Sequence, residues 1–427
     1  MDGDGENPRK LLEGLHGDRF LQVGWSPSGD RIATLKLGSS GDSPTTEIET
    51  APRTGAASRT ILSAPGIRSF CWASDGRIIY SIEEPPPNDR DTNLWELRVD
   101  SSGARAIGSP RRITNWAGLT LSDLSVSADG RHLVFVNAGN RSDLYVASLD
   151  GVGGLRSPQE LTLEGRNNIP STWTPDGQTL FFYSDRNGIW NIFRQSLNER
   201  NAQDFVVGSG EQTEPRLSPD AAWVLYWDRV EKSGQPSGAM RLLRVPISGG
   251  APEPVIEASR GAIVRCVPRR LTCVLSEFDQ ATGKLLFSAV DPLQGIKSEL
   301  VKLDANSSGS PSWDLSPDGL TLAIVNLDEA QNGIRLVQLS NASLRSVALG
   351  GSEHPSGISW SADGKGWFIV SSSVHGATIL RVSLDGEVSK LWTTNSILGM
   401  PLASPDGKNL AFTISTFNSN AWVVENF

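Results

Sequence analysis

Cys266 and Cys273 stand seven residues apart on either side of Pro268-Arg269-Arg270. Cysteines opposed across a short turn bring their β-carbons close enough to form a disulfide, or to work as a dithiol pair. Arg265, Arg269 and Arg270 would lower a neighbouring thiol's pKa and raise its reactivity. A second reading treats both cysteines as small apolar residues filling a core, with the arginines solvated, and the residues alone leave both open. The other reactive side chains form no such constellation. His16, His132, His354 and His375 are scattered without ligand spacing, which predicts no metal site. No Gly-x-Ser-x-Gly elbow occurs, and Gly151-Val152-Gly153-Gly154 lacks the lysine of a phosphate loop. The expectation is a protein without catalytic residues, metal or cofactor.

A repeated phrase positions these residues. An apolar run meets a Ser/Thr-Pro-Asp-Gly turn and a second apolar run follows, most clearly at Trp173-Thr174-Pro175-Asp176-Gly177, Leu315-Ser316-Pro317-Asp318-Gly319, Trp360-Ser361-Ala362-Asp363-Gly364 and Ala403-Ser404-Pro405-Asp406-Gly407. Weaker copies occupy residues 25–29, 72–76, 126–130 and 217–221, and the sixth, Cys266-Val267-Pro268-Arg269-Arg270, keeps only its proline and its place. Successive turns lie 43 to 54 residues apart, a period that fits four short strands per unit and hence a β-propeller. Asp-Gly between apolar runs reads as a type I′ hairpin, with positive φ at both central residues. Relative to the fifth copy, Cys266 replaces Leu217 and Cys273 replaces Val224, which places the cysteines opposite each other.

Nine copies predict nine blades in an all-β chain. Eight is the alternative, with the degenerate sixth copy absorbed as an insertion. The last copy stops after a third strand at Phe427, while Arg9-Lys10-Leu11-Leu12-Glu13-Gly14 resembles a fourth strand lacking its first three. Joining the two would close the ring and hide two sheet edges. Residues 1–8 are then a disordered tail and 9–427 a single, monomeric propeller domain.

The chain carries 48 acidic and 39 basic residues, a net charge of −9, with the signs interspersed. That pattern argues against nucleic acid as a partner. No apolar run approaches the length needed to span a bilayer, and the acidic start is unlike a signal peptide.

The Ser-Pro-Asp-Gly turns, together with Phe182-Tyr183-Ser184-Asp185-Arg186-Asn187-Gly188 leading into Trp190-Asn191-Ile192-Phe193, resemble the TolB-like β-propeller repeat from about residue 9 onward. That family includes periplasmic adaptors, the propellers of prolyl oligopeptidases, and sensor propellers attached to bacterial kinases or winged-helix regulators. The closing Asn420-Ala421-Trp422-Val423-Val424-Glu425-Asn426-Phe427 resembles the end of the last group. The resemblance implies a binding or sensor module, either the extracytoplasmic part of a membrane-anchored signalling protein or a cytoplasmic one. Its partner would be a protein, a peptide or a small ligand. A channel-sited hydrolase or lyase and a structural adaptor are the rival functions. The expected binding surface is the channel mouth formed by connections from fourth to first strands, where Arg19, Arg68, Arg166, Asn167, Asn168, Glu211, Gln212, Arg260, Glu353 and His354 fall.

Overall fold

The computed structural model describes residues 10–427 apart from 15–17, 39–44, 56, 86–90, 117–118, 151–153, 163–165, 209, 230–238, 269–272, 280, 306–310, 328–332, 351–353 and 374–375. The tail at 1–8 therefore lies outside the described residues. Every regular element described is a β-strand, and the strands form eight antiparallel sheets. The chain groups into two compact units. One holds the described residues up to 140 together with 417–427, and the other holds those from 141 to 416.

Six sheets make up the second, larger unit. Five are consecutive four-stranded meanders that begin with the inner strands Asn168–Trp173, Glu211–Leu217, Ile263–Arg265, Ser312–Leu315 and Pro355–Trp360. The sixth is assembled from both ends of the unit, in the order Ile397–Ala403, the first half of Asn409–Glu425, the second half of His132–Leu149, and Leu155–Glu160. Its inner strand packs beside Pro355–Trp360 on one side and Asn168–Trp173 on the other, so the six sheets close into a ring.

A separate apolar cluster fills each of the six interfaces between neighbouring sheets. Phe181 and Ile192 meet Leu217 and Tyr226, Trp227 meets Cys273 and Leu275, and Phe287 meets Trp313. Ala323 meets Trp360 and Trp367, Phe368 meets Leu398 and Phe412, and Leu144 with Ala411 meets Trp173 and Phe182. Both faces of each sheet are thus buried, which explains strands such as Thr179–Ser184 that read as nearly continuous apolar runs.

Ring closure follows the expected principle with a different partner. Residues 10–14 form no strand, and the terminal strand pairs with His132–Leu149 instead; Arg9 lies outside the described residues. Ser142 Oγ lies 2.7 Å from Ser415 Oγ, and Leu149 N donates to Lys408 O at 2.7 Å. The reason is strand length. His132–Leu149 and Asn409–Glu425 run 18 and 17 residues, continuing through stretches such as Asn137-Ala138-Gly139-Asn140 that look like turns. Two motif copies therefore share a pair of long strands, and nine hairpins give eight sheets. The sixth copy is not absorbed: Ile263–Arg265, Cys273–Asp279, Lys284–Val290 and Lys297–Asp304 form an ordinary sheet.

The smaller unit holds two four-stranded sheets, Arg19–Trp25 through Arg59–Ala64 and Ile67–Trp72 through Ala106–Arg112. Beyond these, Leu121–Val126 pairs with the start of His132–Leu149, and Asn426 N donates to Arg131 O at 2.8 Å. Phe70 and Tyr80 anchor one core there, and Leu94, Leu133 and Phe135 another.

The repeated turn is not type I′. In Thr174-Pro175-Asp176-Gly177, Gly177 N donates to Thr174 O at 2.9 Å and only the glycine has positive φ, 67°. Pro175 and Asp176 are the central residues, and a proline ring locks φ negative, which excludes the primed turn. Side chains reinforce it. Thr174 Oγ1 donates to Asp176 Oδ1 at 2.6 Å and accepts from Thr179 N at 3.0 Å, while Asp176 Oδ1 accepts from Gln178 N at 3.0 Å. The same three bonds recur around Ser218, Ser316 and Ser404. The Thr174 hydroxyl and then the Gln178 amide hold the Asp176 carboxyl below its ordinary pKa. The stability this contributes is present above the ordinary carboxylate range and is lost as pH falls through the lowered value.

The fifth copy has Ala221 where every other copy but the sixth has glycine, and Ala221 takes φ 55°. A Cβ in the left-handed region is strained. Ala221→Gly is therefore expected to stabilise the protein by about 0.5–1 kcal/mol. Urea denaturation checks this, and equal or lower stability would show that the turn relaxes without the glycine.

Candidate functional site

The inner strands of the larger unit bring one repeat position to a common axis. The residue at which each inner strand meets its turn, such as Trp173 or Leu217, is its anchor, and in each sheet the residue just before it borders a narrow cavity of about 110 Å³: Thr172, Arg216, Arg265, Asp314, Ser359 and Leu402. The anchors Trp173, Leu217, Leu315 and Trp360 are buried in the inter-sheet cores. Register shifts interrupt four of the inner strands, between Pro170 and Thr172, Thr213 and Arg216, Pro355 and Gly357, and Gly399 and Leu402. Such bulges re-aim side chains next to functional sites. At the second of them Glu214 takes φ 50° and lies 4.0 Å from Arg265 Nη1.

Charge concentrates on three consecutive sheets. Arg265 Nε is 3.9 Å from Asp314 Oδ1, its Nη1 donates to Val264 O at 3.0 Å, and its guanidinium lies over the Trp313 ring. Asp314 accepts from Leu315 N at 2.9 Å and from Trp360 N at 2.8 Å, so its carboxylate is fixed by backbone donors. Asp314 is partly buried, and the loss of water around its carboxyl pushes its pKa up against the pull of Arg265 and the two amides. Arg216 is only 6% exposed. Burial pushes its pKa down to about 9, with Arg265 acting in the same direction, so it remains a cation at neutral pH. Burial also pushes the Tyr183 phenol up, with Glu214 adding to the effect.

The cavity shares Cys266, Asp314, Ser359 and Leu402 with a groove of about 940 Å³ at the end of the unit that carries the Ser-Pro-Asp-Gly turns. Pro268, Pro317, Trp360, Ala362, Arg345 and Pro405 help to line it. This concavity lies at the opposite end of the inner strands from the connections that lead into them.

Cys266 and Cys273 are disulfide-bonded, with Cα atoms 4.3 Å apart. The pairs Arg265↔Val274 and Val264↔Leu275 continue to Cys266↔Cys273, as Leu217↔Val224 pairs in the preceding sheet. Cys273 is fully buried in the inter-sheet core, so the bridge and the packing role coexist. Arg269 and Arg270 lie outside the described residues.

The polar residues singled out at the strand entrances make local contacts. Arg68 pairs with Glu83 in the smaller unit, where Arg19 is exposed. In the larger unit Asn167 donates from N and Nδ2 to Asp185 at 2.8 and 2.7 Å, and the Arg166 carbonyl accepts from Asn168 Nδ2 at 2.7 Å. Glu211 accepts from Arg229 at 3.0 Å, and Gln212 bridges Asn191 and Asp228. His354 N donates to Ser371 Oγ at 3.1 Å, and Arg260 is exposed. Glu353, His16 and His375 lie outside the described residues. Among the described residues no group of histidine, cysteine and carboxylate side chains is arranged to hold a metal ion, and no helix is long and apolar enough to cross a membrane. Arg216 and Asp314 were not singled out from sequence. Alignment of the repeats on their turn serine would have marked both as charged residues at one inner-strand position.

No family model matches the chain. An uncharacterised protein of Agrobacterium fabrum is 23% identical over 157 residues, 36% of this chain and 50% of that protein. The Tol-Pal system protein TolB of Francisella tularensis is 27% identical over 168 residues, 38% of this chain and 35% of that protein. The chain thus spans half of the first relative and about a third of the second. A solved structure assigned as TolB from Agrobacterium tumefaciens matches with a TM-score of 0.51 and 18% identity, covering 65% of this chain and 99% of that one. The fold is a TolB-like β-propeller.

The chain has three cysteines, and Cys71 is free and buried. Denatured protein is expected to take up one equivalent of iodoacetamide without reductant and three after reduction. Three equivalents without reductant would show that the bridge does not form. Because the bridge encloses only a short loop, its reduction should cost roughly 2 kcal/mol of stability, by comparison of melting with and without reductant.

Proposed function

We propose that this protein is a non-catalytic binding module that receives a protein segment or peptide in the turn-end groove of its six-sheet unit, with the axial cavity as the inner end of the site. The observation that carries this reading is the continuity of the two spaces, one wide enough for a chain of several residues and the other ringed by all six inner strands. The groove's prolines, Trp360 and Arg345 offer apolar surface beside a cation. The lining residues include no histidine to act as a base near neutral pH, and the Cys266 sulfur is held in its bridge. The relative named for the Tol-Pal system supports a protein partner. The bridge supports an oxidising, extracytoplasmic compartment.

Peptides selected by display against the protein test this. Ala362→Trp fills the groove from a turn position and should abolish their binding, while stability changes by no more than about 0.5 kcal/mol. Ser298→Trp, on an exposed outer strand, should leave binding intact. Peptides that ignore Ala362→Trp would move the site elsewhere, and peptides recovered cleaved would overturn the non-catalytic reading.

A further inference from the structure

Arg216 carries a buried charge that has no direct partner among the described residues. Its Nε is enclosed without a hydrogen-bond partner, and its side chain makes no ion pair or hydrogen bond among the described residues. It is 6% exposed and borders the axial cavity. A guanidinium removed from water without an anion is destabilising, so such a group persists where something else compensates it. Glu214 and Asp314 offset part of that charge from a distance, but neither forms an ion pair or hydrogen bond with Arg216. Asp314 is committed to two backbone amides, and Glu214 and Asp314 approach Arg265 rather than Arg216. Arg265 is positioned by the Val264 carbonyl and the Trp313 ring and stands at the outer limit of contact with both acids, so its guanidinium keeps donors for a further acceptor.

We infer that the axial cavity receives one carboxylate of the bound peptide, with Arg216 as its first ligand and Arg265 as its second. Size and charge select that group. A cavity of about 110 Å³ holds the equivalent of roughly three or four waters, which suits a carboxylate at the tip of a chain whose body lies in the groove. Two guanidinium groups stand against two resident acids, so a single added charge can be accepted, whereas a dianionic phosphate would face Asp314 and Glu214. The planar fork of arginine fits a carboxylate in two-point contact.

This inference rests on the groove-binding reading, and the test separates the two. Peptides selected against the protein are resynthesised with each carboxylate neutralised in turn, as the C-terminal amide or as Asn or Gln for an acidic side chain, and glutarate alone probes the small-acid source. Calorimetry on the wild type should show one carboxylate whose loss weakens binding by about 10- to 100-fold. In Arg216→Met that difference should vanish, so that the acid and neutral peptides bind alike. Ligand-free Arg216→Met should also melt higher than the wild type, because a buried charge with no direct partner has gone, whereas a purely structural arginine would make it melt lower. If no peptide is selected, glutarate should raise the melting temperature of the wild type and not of Arg216→Met. Equal wild-type affinity for acid and neutral peptides, an acid preference that survives Arg216→Met, or no response to peptide or glutarate would each overturn the carboxylate site. Peptides blocked by Ala362→Trp yet indifferent to every carboxylate would leave the groove reading standing without it.

Discussion

The pairing of Asn409–Glu425 with His132–Leu149 is the interaction on which the six-sheet unit depends. An open row of six sheets would leave one inner strand and two sheet faces exposed, and its axial cavity would have no fixed width. Annealing the C-terminal hairpin onto strands from the start of the unit puts Leu144 and Ala411 against Trp173 and Phe182, and the Trp173 indole donates to the Leu402 carbonyl at 3.2 Å across that interface. Closure therefore converts five local sheet contacts into a cyclic set of six. Inner-strand side chains are then held at one radius by packing on both faces of every sheet.

That rigidity lets the turns stay small. One hydroxyl and one carboxylate in each Ser/Thr-Pro-Asp-Gly turn take up the amide hydrogens that the sharp reversal leaves unpaired, as at Thr174 and Asp176. Because these bonds are internal to the turn, the outer edge of the turn, such as Pro317 or Pro405, remains available to line the groove. The sixth copy lacks the aspartate and glycine and instead has a covalent link two positions from its proline. The bridge joins the two strands of that hairpin beside Arg265.

A buried arginine without a partner is a poor choice for stability alone. Natural domains concentrate such local conflicts at sites of function and support them with surrounding structure. Around Arg216 the support is apolar and extensive, since Leu217 packs into the cluster with Phe181, Val224 and Tyr226. The polar residues at the strand entrances behave differently. Asn167, Glu211 and Gln212 are matched by Asp185, Arg229 and Asp228, which ties each entering connection to the end of a second strand.

Local features of the chain were legible in sequence because short-range rules govern them. Alternating apolar runs and punctuating turns determined an all-β repeat fold, and a two-strand register carried over from Leu217 and Val224 placed Cys266 opposite Cys273. The type I′ assignment failed on a rule also local, the fixed φ of proline, which outweighed the Asp-Gly pair. What only the tertiary structure decided was which strands share a sheet. Lys10, Leu11 and Leu12 and the stretch around Leu144 are both apolar enough to complete a blade, and the choice between them depends on packing against residues hundreds of positions away. The same holds for Arg216, Arg265 and Asp314. Each lies on a different strand when read along the chain, and they become one charged cluster only because closure brings neighbouring inner strands to a common axis, where burial removes the water that would otherwise screen them.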